Sequence, residues 1–162
     1  MRMKRKNKED GFTLIEVMAV MIILAIMAVI AIPKVAASSE QARKNADITT
    51  GNQVKAALDF YQVQKGSYPK LADMTVGSVA SGGVVACAGF IPEYMAKLDA
   101  KMTQQSVDSA HRGFGVKVIP TSGGYPATEN NLIVIYLAAD GSGAEVRTMD
   151  ASLSNVLWSS AE

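Results

Sequence analysis

Gly11 to Pro33 reads GFTLIEVMAVMIILAIMAVIAIP. Val17 to Ile32 is an unbroken apolar run, with a single carboxylate, Glu16, at its outer edge and the helix breaker Pro33 closing it. Phe12 to Ile32 is 21 residues, about 31 Å of helix at the standard rise and long enough to span a hydrocarbon core. Ahead of it Arg2, Lys4, Arg5, Lys6 and Lys8 stand against Glu9 and Asp10, a net +3. That bias predicts a cytoplasmic N-terminus with the polar bulk of the chain on the other side. An ordinary secretory signal has a shorter apolar core and a small-residue cut site after it, and Ala36-Ala37-Ser38 is the nearest candidate for one. A plain single-pass anchor accounts for the length but not for Glu16. A carboxylate in a spanning segment costs a few kcal/mol and by default marks function; its bland alternative is an interfacial side chain that snorkels or protonates.

Gly11-Phe12-Thr13-Leu14-Ile15-Glu16 resembles the cleavage motif of type IV prepilins. The resemblance implies a basic leader cut by a dedicated peptidase after Gly11, N-methylation of the new terminal residue Phe12, and a subunit-assembly role for Glu16, the fifth residue of the trimmed chain. It also places Pro33 where pilins carry a helix-loosening proline, so that Val29 to Ile32 melts on assembly. Two features depart from the pattern. Glu9 and Asp10 make the end of the leader acidic, and a second proline found further along some pilin helices is missing, with Gln53 near that place. Cutting turns the nitrogen of Phe12 from an amide into an amine with a reference pKa of about 8, mostly cationic at neutral pH. That amine on one subunit and Glu16 on a neighbour are the pairing the resemblance implies. A within-chain pair, four residues apart on one helix, competes with it.

Beyond Pro33 the pattern turns amphipathic. Val35, Ala42, Ala46, Ala57, Leu58 and Tyr61 alternate with Ser38, Ser39, Glu40, Gln41, Arg43, Lys44, Asn45 and Asp47, and Val54, Ala57, Leu58 and Tyr61 keep helical spacing. One helix is expected from about Phe12 to about Gln64, near 80 Å long. Its Val54/Leu58/Tyr61 face is expected to pack on the head, with Gly51 as a weak point costing up to about 1 kcal/mol against Ala. Gly66 suits a left-handed cap and Pro69 prevents a restart. The string YQVQKGSYP, Tyr61 to Pro69, resembles the helix exit of pilins and pseudopilins, and Tyr68 is expected under the following loop. Gly77 to Gly83 reads as flexible linker, and Pro92 to Leu98 as a short helix with proline in its first turn. Strands are expected at Phe114 to Ile119, at Leu132 to Leu137 as the central one, and at Ala144 to Met149 after a turn at Ala139 to Gly143. Leu153 to Trp158 reads as a last strand or a terminal turn. The expected fold is α+β: a long N-terminal helix packed on a C-terminal antiparallel sheet of three to four strands. The expected divisions are a leader 1–11, an apolar helix 12–33, an amphipathic half 34–65 and a head 66–162, with a loop region 66–112 and a sheet 113–162.

Of the total charge of +1, the chain beyond the leader holds −2, with no basic patch that would suggest a specific nucleic acid. The single Cys87, among alanines and valines, reads as a small buried apolar residue. His111 stands alone beside Arg112 and reads as a surface residue; zinc-type spacing is absent. Asp140, Ser142 and Glu145 offer oxygens at a turn, as calcium sites do and as some pseudopilin heads do, with a solvated turn as the alternative. No nucleophile–base pair or phosphate loop is present, so neither an enzyme nor a cofactor is expected. The resemblance implies a structural subunit of a type IV pilus-like filament, a helical homopolymer. Its partners are copies of itself, a prepilin peptidase and the pilus assembly machinery. It is held in the inner membrane as precursor and in an extracellular pilus once assembled. The alternatives are a pseudopilin of a type II secretion or DNA-uptake system and a membrane-tethered binding domain that does not polymerise. Major pseudopilins carry a Thr-Glu-rich stretch after the Tyr-Pro pair; Lys70-Leu71-Ala72-Asp73 stands here instead, which favours the pilus.

Overall fold

The computed structural model describes residues 12–77, 85–121 and 124–161. The leader, Gly11 and most of the Gly77–Gly83 linker lie outside the described residues. The chain divides into two compact units, Met1–Ser39 and Glu40–Glu162. Helix α1, Leu14–Lys65, belongs to both. In the first unit every described residue is exposed, and this stretch of α1 is long and apolar enough to cross a membrane.

In the second unit α1 buries Asp47, Gly51, Val54 and Leu58, a stripe at intervals of four and three residues that makes one helical face. Tyr61 extends it, half-buried. The helix ends as the sequence predicts. Gly66 takes φ +82°, donates its N–H to the Gln62 carbonyl at 2.8 Å, and leaves the chain free to turn. Tyr68 then lies half-buried against α1, its hydroxyl donating to Asp59 Oδ1 at 2.8 Å, and its N–H reaches the Gly141 carbonyl at 2.9 Å.

The sheet has four strands in the order β3 (Phe114–Val118), β4 (Ile133–Leu137), β5 (Ala144–Met149), β6 (Val156–Ser159). Every β4 residue is buried, as its central place requires. Ile133, Ile135 and Leu137 join Val54, Leu58, Phe114 and Val146 in the core. The sheet is mixed, not antiparallel as expected: β3 runs parallel to β4, with Phe114 opposite Ile133 and Val118 opposite Leu137. The 14 residues between them, Ile119 to Leu132, are long enough to return the chain to the starting end, which a hairpin turn is not. Residues 153–158 resolve into strand β6 after a tight turn.

The loop region holds more structure than expected. A Leu71–Asp73 3-10 turn leads into β1 (Met74–Val76), which pairs antiparallel with β2 (Val85–Cys87). Cys87 is buried, as expected. The short helix expected over Pro92–Leu98 does not form. Tyr94 bonds back to the Phe90 carbonyl at 2.9 Å, and Leu98 is instead drawn into a bridge that accepts the Val85 N–H at 2.9 Å. Burying Leu98 there outweighs the weak helical preference of a seven-residue stretch.

Two α1 residues read differently in three dimensions. Asp47, expected on the polar face, is fully buried. Its carboxylate accepts from the Gln104 N–H at 2.6 Å, the Gln105 N–H at 3.1 Å and Gln105 Nε2 at 3.0 Å, and the same Nε2 reaches the Met149 carbonyl at 2.9 Å. Gly51 is a requirement rather than a weak point: a Cβ there would stand 2.5 Å from Thr148 Oγ1 and 3.3 Å from the Trp158 ring.

The other side of the sheet is covered by the Ile119–Leu132 connection through polar bonds. Glu129 accepts from the Tyr136 hydroxyl and from Lys117 Nζ at 2.5 Å. Glu145 accepts from the Tyr125 hydroxyl and from Ser159 Oγ at 2.9 Å. The Arg147 guanidinium lies 4.1 Å from the Tyr125 ring centre. Burial, then the bond to Glu145, pushes the Tyr125 phenol up to about 12; burial, then Glu129, raises Tyr136 as well. Both phenols therefore stay neutral donors at any physiological pH.

Gly51→Ala, which in an open helix stabilises by roughly 0.5–1 kcal/mol, is expected here to destabilise the head by about 1–3 kcal/mol through overpacking. Urea unfolding of the full chain in detergent checks the sign. A second test concerns the turn before β6, where Asp150 accepts from Ser152 Oγ at 2.7 Å and Asn155 Nδ2 at 2.9 Å. Burial pushes this carboxyl up, but the bonds from Asn155 and Ser152 outweigh it and hold it at about 2, against an ordinary 3.8. A depressed folded value means stability that is present above the unfolded value and lost as the group protonates on the way down. Thermal midpoints are expected to fall between pH about 4 and about 2, and Asp150→Asn to lessen that fall.

Candidate functional site

The N-terminal end of α1 is built from a short local code. Thr13 precedes the first helical residue, Leu14, and Glu16 sits three positions after it. Thr13 donates its N–H to Glu16 Oε2 at 2.8 Å and its hydroxyl to the same oxygen at 3.0 Å. In return the Thr13 hydroxyl accepts the Glu16 N–H at 3.4 Å. This reciprocal pair is a capping box, which satisfies backbone donors that a helix start otherwise leaves open. Thr13 is the residue whose role the sequence reading passed over; the Thr-x-x-Glu spacing was the available signal.

Glu16 is thus held by its own helix through one oxygen, and Oε1 takes no hydrogen bond from a described residue. Phe12, Glu16, Val20 and Leu24 follow at intervals of four and share one face, lining with Val17 and Met21 a shallow groove of about 320 Å³. Phe12 is 89% exposed. The structure therefore places the expected new terminus and the expected assembly carboxylate on one exposed face, with Glu16 bonded to Thr13. Gly11 lies outside the described residues. Pro33 sits inside an unbroken α1; it has no N–H to offer the Val29 carbonyl one turn back, so one ladder bond is missing beside the stretch that the resemblance implies melts.

The candidate calcium oxygens have separate partners. Asp140 Oδ1 accepts the Ser142 N–H at 2.9 Å in an exposed turn, and hydrogen bonds from Ser142 hold its carboxyl below the usual range. The Glu145 carboxylate is buried and taken by Tyr125 and Ser159, with Arg147 Nε at 3.4 Å. The bonds around Asp140 are those of a turn built by its own residues. His111 is half-buried, with Nδ1 2.6 Å from Asp108 Oδ1. That bond comes first in holding Asp108 below the ordinary carboxylate range. Among the described residues no cluster of three or more His, Cys, Asp or Glu could hold a metal ion.

Comparison with known proteins converges on the same end of the chain. Residues 6–32 match the family model described as the prokaryotic N-terminal methylation motif. The chain is 37% identical over 67 residues to type II secretion system core protein G of Vibrio cholerae, covering 41% of this chain and 46% of that one. It is 35% identical over 65 residues to the protein of that name from Pseudomonas aeruginosa, covering 40% and 46%. With the Escherichia coli protein of that name it is 31% identical over 67 residues, covering 41% and 46%. The chain spans a little under half the length of these curated relatives. No solved structure matches it. With a methylation motif over residues 6–32 and an α+β head beyond, the chain resembles type IV pilin-like proteins.

Proposed function

We propose that this chain is a non-enzymatic filament subunit, and that its filament is the pseudopilus of a type II secretion-type machinery rather than a surface pilus. The sequence weighting toward a pilus rests on four residues, Lys70 to Asp73. The similarity to type II secretion core protein G runs over 67 residues in the Vibrio cholerae case and recurs in several species, which supports the secretion alternative more strongly. The observation that supports the filament reading is the Gly11-Phe12 junction with Glu16 four residues on, inside a methylation motif.

In this reading the precursor sits in the inner membrane by its apolar helix. A prepilin peptidase cuts after Gly11, and Phe12 becomes a methylated cationic terminus. Glu16, buried among neighbouring helices, is costly until a cation faces it, since an isolated carboxylate in low dielectric is strongly disfavoured. The amine of a neighbouring subunit supplies that cation. Partners are copies of this chain, the peptidase and the membrane assembly machinery of the secretion system.

Mass analysis of the mature N-terminus is expected to show a chain starting at methylated Phe12 in the cell-envelope fraction. A chain starting at Met1 overturns the processing reading, and abundance in a sheared surface fraction returns the pilus. Glu16→Gln is expected to leave cutting and insertion intact while abolishing cross-linked oligomers; normal oligomers would sink the assembly role. Thr13→Val removes the cap hydroxyl, worth about 0.5–2 kcal/mol. Amide exchange in micelles is expected to speed up about 2- to 30-fold in the first turn of α1, and unchanged protection would mean the box is idle.

A further inference from the structure

At the joint between α1 and β5, two buried polar atoms have no hydrogen-bond partner among the described residues: Gln105 Oε1 and Thr148 Oγ1. Gln105 is 2% exposed and Thr148 is fully buried. The Gln105 amide cannot relieve this by turning over. Its Nε2 sits between two acceptors, Asp47 Oδ2 at 3.0 Å and the Met149 carbonyl at 2.9 Å, and a flipped amide would set oxygen against oxygen at both. Oε1 is therefore committed as a buried acceptor. The Met149 carbonyl that holds the amide belongs to the residue after Thr148, and the register of β5 against β6 slips between these two residues. Such a slip interrupts the ladder and frees backbone groups for other partners. The Thr148 hydroxyl points at α1, 2.5 Å from where a Cβ on Gly51 would stand. Both atoms thus lie by one turn of α1, Asp47 to Gly51, and by two successive residues of β5. Unpaired buried polar atoms are costly, and native folds leave few of them.

We propose that one buried water serves both atoms, donating to Gln105 Oε1 and bonding the Thr148 hydroxyl, and so closes the joint between helix and sheet. Gln105 Oε1 can only accept, while the Thr148 hydroxyl both donates and accepts. A water meets both needs at once, since a buried water bonds two to four polar groups. A metal ion suits the place less well. The carboxylate at this joint, Asp47, already accepts from the Gln104 N–H, the Gln105 N–H and Gln105 Nε2, and those hydrogens stand where a cation would have to come. The site belongs to the head alone and is independent of the processing and filament readings.

The test isolates the hydroxyl in the full chain in detergent micelles. Thr148→Ser keeps it and Thr148→Ala removes it, and neither adds bulk against Gly51. A buried hydroxyl without a partner makes Ala the more stable of the two; a hydroxyl bonded to water makes Ser the more stable. Urea unfolding is expected to give Thr148→Ala a folding equilibrium constant about three-fold or more below that of Thr148→Ser. Equal values or the reverse order overturn the proposal. With Gln105→Leu added to both, the ratio is expected to fall to about one, because the shared water loses its second partner; a ratio left unchanged places the partner of the hydroxyl elsewhere and overturns the bridge. The occupant itself is read by nuclear Overhauser transfer from water to the γ-methylene protons of Gln105, which do not exchange with solvent. Transfer is expected in the parent chain and also in Thr148→Ala, where no hydroxyl proton can relay it. No transfer in either overturns the water, as does transfer confined to the parent, which makes the hydroxyl itself the partner of Gln105. A urea midpoint that moves with chelator or added metal chlorides, without water transfer, assigns an ion instead. The water measurement decides the question even where Gln105→Leu does not fold.

Discussion

The close approach of α1 to the sheet at Gly51 is the constraint on which the head depends. With no side chain there, Thr148 and the Trp158 ring come up against the helix backbone, and Val54 and Leu58 then reach full burial in the following turns. Each such side chain contributes about 1.5–3 kcal/mol when buried. The contact is fixed on both sides along the helix. One turn before Gly51, Asp47 holds the chain at Gln104 and Gln105; beyond Leu58, Asp59 receives Tyr68, which leads to the β4–β5 turn through Gly141. Asp47 acts through direction rather than net strength. A buried carboxylate left without its donors costs more than the hydrogen bonds return, so the loop that carries Gln104 and Gln105 has one placement that works.

The opposite side of the sheet follows a different rule. A parallel β3–β4 pair needs a crossover, and crossovers are usually helices that cover the sheet with apolar surface. Here the connection is irregular and meets a polar sheet face made by Lys117, Tyr136, Glu145 and Arg147. The cover is held by phenol–carboxylate bonds, Tyr136 to Glu129 and Tyr125 to Glu145, with Arg147 over the Tyr125 ring. Burial raises both phenols further above their ordinary range. The two sides of one sheet are thus sealed by different chemistry, hydrophobic packing toward α1 and polar contacts toward the crossover.

What could be read from the sequence was what is local. The α1 boundaries, the Gly66 cap, the central place of β4 and the β4–β5 turn each follow from a run of residues or from one residue's backbone preference. The direction of β3 did not, because parallel and antiparallel strands have the same residues and differ only in where the intervening 14 residues travel. Asp47 and Gly51 were misread for a related reason. An Asp among polar neighbours and a Gly inside a helix look like solvent and weakness until distant chain arrives: the Gln104–Gln105 loop at Asp47 and Thr148 and Trp158 of the sheet at Gly51. At the N-terminal end the motif was legible because it is linear, and the match to the methylation motif falls on the same residues. The exception was Thr13, whose capping bond to Glu16 is itself local but was eclipsed by the cleavage pattern around it.

The position of the cut relative to that cap bears on how the proposed assembly is switched. Removal of the leader, as proposed, breaks the Gly11–Phe12 bond. The N–H that Thr13 gives to Glu16 belongs to the next peptide unit, between Phe12 and Thr13, and survives. The cut as proposed therefore leaves the capping donor of Thr13 on the chain. In that proposal the change is one of charge: the neutral amide nitrogen of Phe12 becomes an amine. The proposed switch draws on the cost of burying a carboxylate without a cation, several kcal/mol per ion in low dielectric. Had the cut fallen one residue later, the capping donor would itself have become the amine, and the start of the helix and the charge at the interface would have changed together.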